Sequence, residues 1–200
     1  MNFSLEIGPH TDLETLPPVK DVYVTMLPGG DYKETADKSG DLVKKGFNPV
    51  PHFPARSINN EEELKEYVSR CKDQGVKQAL VIGGSREPIG KFDSSFQILE
   101  TGYLEGIKIG IAGHPEGSPD ISEQNLEKAM IDKKPYADYI VTQWLLDSQP
   151  IIDFISKQSV PVHVGITALS LTEAYAGNID LAYDYFLKTQ ALDPSEWSEW

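Results

Sequence analysis

The sequence predicts an α/β protein whose parallel strands curl into a TIM-type (β/α) barrel, incomplete at about seven strands. Three observations carry that prediction. Short β-branched or apolar runs alternate with polar segments of helical spacing. They recur every roughly 20–30 residues, the rhythm of βα units and hence of a parallel sheet. Polar residues collect where the strand-like runs end, as they do at the C-terminal rim of a barrel.

The strand-like runs, in order, are "FSLEI" (3–7), "DVYVTML" (21–27), "FNPVPHF" (47–53), "QALVIGG" (78–84), "IKIGIAG" (107–113), "DYIVTQW" (138–144) and "VPVHVGI" (160–166). The segments between them carry helix punctuation. "YKETADKSGDLVKKG" places Ala36, Leu42 and Val43 among charges and stops at Gly46. "NNEEELKEYVSRCKDQG" opens on an Asn cap with an acidic first turn and stops at Gly75. "SEQNLEKAMIDKK" and "DSQPIIDFISKQS" repeat the theme, and "SLTEAYAGNIDLAYDYFLKTQAL" is the longest, with Gly177 placed to break it.

An open doubly wound sheet is the competing architecture. A nucleotide-binding sheet of that kind carries G-x-G-x-x-G after its first strand, and "EIGPHTD" fails that pattern. No eighth strand follows residue 166, so the barrel has an open edge that needs cover from a helix, a tail or a second subunit. Trp197 and Trp200 serve as that cover or lie in a homo-oligomer contact. No linker or repeat divides the chain, which predicts one domain over residues 1–200.

Composition narrows the function classes. A net charge of −13 argues against a nucleic-acid partner, because affinity there comes from neutralising phosphates. No apolar run approaches the roughly 20 residues of a membrane span. "MNFSLEIGPH" enters a strand without a charged-then-apolar leader, which predicts a cytoplasmic protein. The single cysteine, Cys71, excludes an internal disulfide and reads as a structural residue on a helix.

The strand ends supply the candidate chemistry. Alternation in "FSLEI" puts Glu6 opposite Phe3, Leu5 and Ile7, and a carboxyl facing a barrel lumen has a raised pKa, as a general acid requires. His52 ends a run stiffened by prolines, as a site residue or as a core histidine. Gly83 and Gly84 permit close backbone approach to a flat or phosphorylated ligand, or simply make a turn. "IAGHPEGSPD" crowds His114, Glu116, Ser118 and Asp120 into one loop, with no third ligand spaced for a metal. Gln143 offers an amide that accepts and donates in one plane.

Taken in order, these pieces resemble the methylenetetrahydrofolate reductase family, flavin barrel enzymes of one-carbon metabolism. "FSLEIGP" resembles the family's first strand, "VYVTMLPGG" its second with Thr25, and "PVPHF" its third with Pro-His. "ALVIGGS" is similar to the fourth, "IAGHPEGSPD" to the fifth and its loop, and "ADYIVTQW" to the sixth. The resemblance implies hydride transfer from NAD(P)H, by way of FAD, to 5,10-methylenetetrahydrofolate, giving 5-methyltetrahydrofolate. It implies Glu6 as the general acid that opens the five-membered ring to an iminium ion. It implies reduced folate bound by Gln143 and Ser85, and cofactor contacts from Thr25, His52, Gly83, Gly84, His114 and Glu116. No metal is implied.

The chain departs from the family after the fourth strand. Where the family carries Arg-Gly-Asp, this sequence has Gly83-Gly84-Ser85, so a carboxylate becomes a hydroxyl and the guanidinium beside it is missing. His114 replaces the fifth-strand aromatic. Lys128, Lys133 and Lys134 fall in the segment whose basic residues hold the flavin diphosphate in the family. A flavin-independent reductase and a folate- or flavin-binding homologue without turnover are the alternatives these departures raise. An unrelated barrel lyase or aldolase using Glu6 and His52 is a third, but no strand-end lysine offers a Schiff base.

Overall fold

The computed structural model describes residues 3–118, 121–144 and 148–165, and within them the predicted alternation is present strand for strand. Strands β1 (Ser4–Ile7), β2 (Asp21–Val24), β3 (Asn48–Pro54), β4 (Gln78–Ile82), β5 (Lys108–Gly113), β6 (Tyr139–Trp144) and β7 (Val162–Gly165) form one sheet in chain order. Every neighbouring pair is parallel. The seven strands curl into a half-barrel, so that the Tyr23 hydroxyl of β2 meets His163 of β7 at 2.6 Å across the concave face.

Helices α1 (Tyr32–Lys44), α2 (Glu61–Asp73), α4 (Glu123–Lys133) and α5 (Ser148–Ser156) lie where the sequence predicts them. Asp31, Asn60 and Ser122 cap the first three by accepting the backbone N–H of Lys33, Glu63 and Asn125. A short α3 (Ser95–Glu100) was not predicted, although Ser94 and Gln97 form a capping box. The long segment after residue 166, with Trp197 and Trp200, lies outside the described residues, as does Asp120.

The sheet's convex face and the helices enclose the larger core. Phe53, Val81, Ile111 and Ile140 alternate outward from successive strands and pack with Tyr67, Val68 and Cys71 of α2 and Ile98 of α3. Cys71 is buried and its thiol pKa is pushed up to about 12 by that burial, which keeps it a protonated packing group. Ile7, Val22, Val24 and Leu42 close the same layer under α1. A smaller cluster of Tyr23, Val50, Leu80 and Tyr139 fills the concave side. Burying both faces is what a parallel sheet requires.

Two of the three prolines in β3 fit a central strand because of register. Donors alternate sides along a parallel strand, and Asn48 N–H already reaches Lys20 O beside β2. Pro49 and Pro51 therefore turn their nitrogens toward β4, whose pairing with β3 begins only at His52. On the concave face, side chains span this gap. Asn48 Nδ2 and Gln78 Nε2 both donate to Asp21 Oδ1, at 3.2 and 3.0 Å.

Candidate functional site

The concave face and its C-terminal rim gather the polar residues that the sequence singles out. In β1 the alternation sends Ile7 outward into the core and Glu6 inward, directly beside Tyr23 in the register. Glu6 is exposed at the end of β1 and makes no ion pair among the described residues. Protein crowds its other sides, and that burial raises its carboxyl pKa above the ordinary value.

His52 belongs to the same face, two residues beyond Val50. It is buried, and loss of solvation holds its imidazole pKa down at about 4, so the ring is neutral. Its Nε2 is shut away from water and has no hydrogen-bond partner among the described residues, an exception to the rule that buried polar atoms are paired. Tyr23 approaches edge-on, with ring centroids 6.1 Å apart.

Tyr23, Tyr139 and His163 form a polar mesh that the sequence reading missed. Burial raises the Tyr23 phenol pKa and lowers that of His163. The Tyr23 hydroxyl and His163 Nδ1 thus share a hydrogen bond of 2.6 Å between neutral groups, while Tyr139 stacks on the same imidazole at 4.7 Å. His163 lies 140 residues from Tyr23, so sequence spacing held no sign of the contact. Its inward position in "VPVHVGI" was the available signal.

Across the face, β5 and β6 bring His114 and Gln143 together. His114 Nδ1–H donates to Gln143 Oε1 at 2.8 Å, and Gln143 Nε2 donates to Gly117 O at 3.2 Å. The amide is thereby fixed in orientation, and His114 keeps Nε2 for another partner. Glu116 is exposed in the turn between them. Among the described residues no hydrogen bond joins this pair to Glu6.

The remaining candidates sit on the rim. Thr25 spends its hydroxyl on Ile7 O at 3.2 Å, tying the ends of β1 and β2 together. Gly84 has φ +93°, and a side chain there would meet Pro54 and Arg56; Ser85 beside it is exposed. Arg56, in the turn after β3, donates through Nη1 to Gly84 O at 3.5 Å and through Nε to Asp93 O at 2.9 Å. Arg86 stretches from the β4 exit to the loop after β2, with Nη1 3.6 Å from where a Gly29 side chain would begin.

The three lysines stand on α4 and in the turn that follows it. Lys128 pairs with Asp132 on α4, while Lys133 is buried at the end of that helix with its ammonium pKa lowered by burial. Lys133 and Lys134 precede β6 and so stand at the strands' N-terminal side, away from the rim. Among the described residues no group of His, Cys, Asp and Glu is arranged to hold a metal ion, and no helix is long and apolar enough to cross a membrane.

No family model matches the chain. Methylenetetrahydrofolate reductase 1 of Schizosaccharomyces pombe is 23% identical over 77% of this chain and 28% of its own length. The chain thus spans under a third of that relative. Among solved structures, a putative phosphonomutase from Burkholderia cenocepacia J2315 superposes with a TM-score of 0.59 at 11% identity, covering 94% of this chain and 90% of that one. An oxaloacetate acetylhydrolase superposes at 0.54 and 9% identity, covering 80% and 72%. These structures share the barrel-type fold with this protein, and the sequence likeness points to a distant relation with the reductase.

Proposed function

We propose that the protein is an oxidoreductase of one-carbon metabolism that reduces 5,10-methylenetetrahydrofolate to 5-methyltetrahydrofolate at the expense of NAD(P)H. The observation that carries this reading is Glu6, a carboxyl of raised pKa, without an ion-pair partner, at the inner end of β1. The distant likeness to a reductase of that substrate supports it.

In this reading Glu6 gives its proton to the ring nitrogen that leaves. The carbon–nitrogen bond breaks, and the methylene carbon becomes an iminium ion. A hydride then adds to that carbon, completing the methyl group, and the nicotinamide leaves oxidised. Gln143, held by His114 and Gly117, offers a fixed amide edge for the folate's heteroaromatic ring, and alignment of the two rings supplies the rest. The raised pKa of Glu6 keeps its carboxyl protonated to higher pH than an ordinary one, the direction a general acid requires.

The rim also fits a flavin. The open backbone at Gly83, next to the left-handed turn at Gly84, is what a flat, hydrogen-bonding ring system would use, with Thr25, His52, His114 and Glu116 as its further contacts in this reading. FAD, when bound, relays the hydride from nicotinamide to folate. Ser85, an exposed hydroxyl where the resembled family has a carboxylate, favours the second reading, direct transfer without flavin.

Two substitutions test these assignments. Glu6→Gln is expected to slow folate-dependent NAD(P)H oxidation by roughly a hundredfold or more, the usual worth of a positioned acid, with folate still bound. Unchanged turnover removes Glu6 from the chemistry. Ser85→Asp is expected to tighten folate binding severalfold in a fluorescence titration, and unchanged affinity removes Ser85 from the folate site. Folate binding without any oxidation selects the accessory, non-catalytic reading instead.

A further inference from the structure

We propose that the apolar strip formed by the outer face of β7 and the adjoining flank of α5 is the docking site of this chain's own residues 170–192. Packing alone carries the assignment, whatever chemistry the concave face performs. The outward residues of the central strands, Phe53, Val81, Ile111 and Ile140, are fully covered. On β7 the same face carries Val162, only partly buried against the core, and Val164, 37% exposed. α5 shows the same shortfall. Its partly buried Ile151 and Phe154 mark the inner side, where Phe154 joins the core, while Ile152 and Ile155 stay 56% and 40% exposed. A helix turns about 100° per residue, so Ile155 lies roughly a quarter turn round from that inner side and Ile152 further round the same flank. In a right-handed crossover the helix runs antiparallel to the strands, and that sense of turning points this flank past β7, the last strand of the sheet.

The occupant follows from the order of the chain. From β2 to β6 every strand leads into a helix, and the residues after Gly165 are the next to reach this strip. Residues 166–200 lie outside the described residues, but their sequence supplies a matching face. Ser170 and Glu173 have the spacing of a capping box, and residues 166–169 make a loop of ordinary βα length. Leu171, Tyr175, Ile179, Ala182 and Phe186 recur at steps of four, four, three and four, one apolar stripe on a helix. Glu173, Asp180, Asp184 and Lys188 fall on the opposite side of it. A second copy is the rival occupant. The net charge of −13 opposes bringing two copies together, whereas a tethered segment is already beside the strip.

The test is a double-mutant cycle in the intact chain, read by urea midpoints. Ile155→Asp and Ile179→Asp are each expected to lower the midpoint by roughly 0.5–1 M, and together by clearly less than the sum. Ile131→Asp, on α4 and 66% exposed, is expected to match the parent, as a charge on a free surface should. Hydrogen exchange gives a second reading and needs only the milder Ile155→Ala. Amides of residues 171–187 are expected to be protected in the parent and to exchange roughly tenfold faster or more in that variant, with α2 unchanged. A parental midpoint in Ile155→Asp, strictly additive losses, an equal loss in Ile131→Asp, or unprotected amides over 171–187 in the parent overturns the docking. A midpoint that rises with protein concentration, together with a sedimenting dimer that Ile155→Asp splits, overturns it in favour of the second copy.

Discussion

At the scale of single residues, His52 and Glu6 show how the same cause acts on opposite charges. Burial disfavours the charged form, so it lowers the imidazole pKa and raises the carboxyl pKa. For His52 the unfolded chain binds the proton near pH 6.5 and the folded one near 4. The folded state thus holds fewer protons between those values, and stability present above about pH 6.5 is lost as the pH falls toward 4. The loss approaches about 3 kcal/mol. Urea midpoints measured from neutral to mildly acidic pH should fall less steeply in His52→Gln than in the parent. Equal slopes would place His52 in a solvated setting. The side of the sheet on which Glu6 lies was legible because alternation in a four-residue strand fixes which way it points. The orphaned Nε2 of His52 was not, since a buried atom's lack of partners depends on everything packed around it.

At the scale of elements, hydrophobic period and cap residues made the seven strands and four of the helices readable. α3 escaped because six residues are too few for a period, even with its capping box. β3 looked unlike a central strand for its prolines, and the register explains two of them: the donors lost at Pro49 and Pro51 face a stretch that β4 does not pair. β5 depends on close approach in a comparable way. A side chain on Gly110 would begin 2.5 Å from the Tyr139 ring, with which that residue is in register. Gly110→Ala should cost about 1–3 kcal/mol in chemical denaturation and loosen the stack of Tyr139 on His163. A stability loss below a few tenths of that would show that the ring moves freely, and that the mesh of Tyr23, Tyr139 and His163 is not closely packed.

At the scale of the whole molecule, the polar strand ends that predicted a barrel do share one concave face and rim, from Glu6 on β1 to Gln143 on β6. What the sequence could not reveal is what loops and distant strands bring to that face. Arg56 and Arg86 stand in connections, and His163 meets Tyr23 only because the sheet curls. Both kinds of residue are set by tertiary geometry and leave no mark at fixed spacing. The central claim is that this face transfers hydride to a folate. Its most direct test follows deuterium from C4-labelled NAD(P)H into folate by mass spectrometry, with and without added FAD. The account predicts 5-methyltetrahydrofolate as product, its methyl group labelled when transfer is direct and diluted by solvent hydrogen when flavin intervenes. Oxidation of NAD(P)H that ignores the folate, or none at all under either condition, would contradict it.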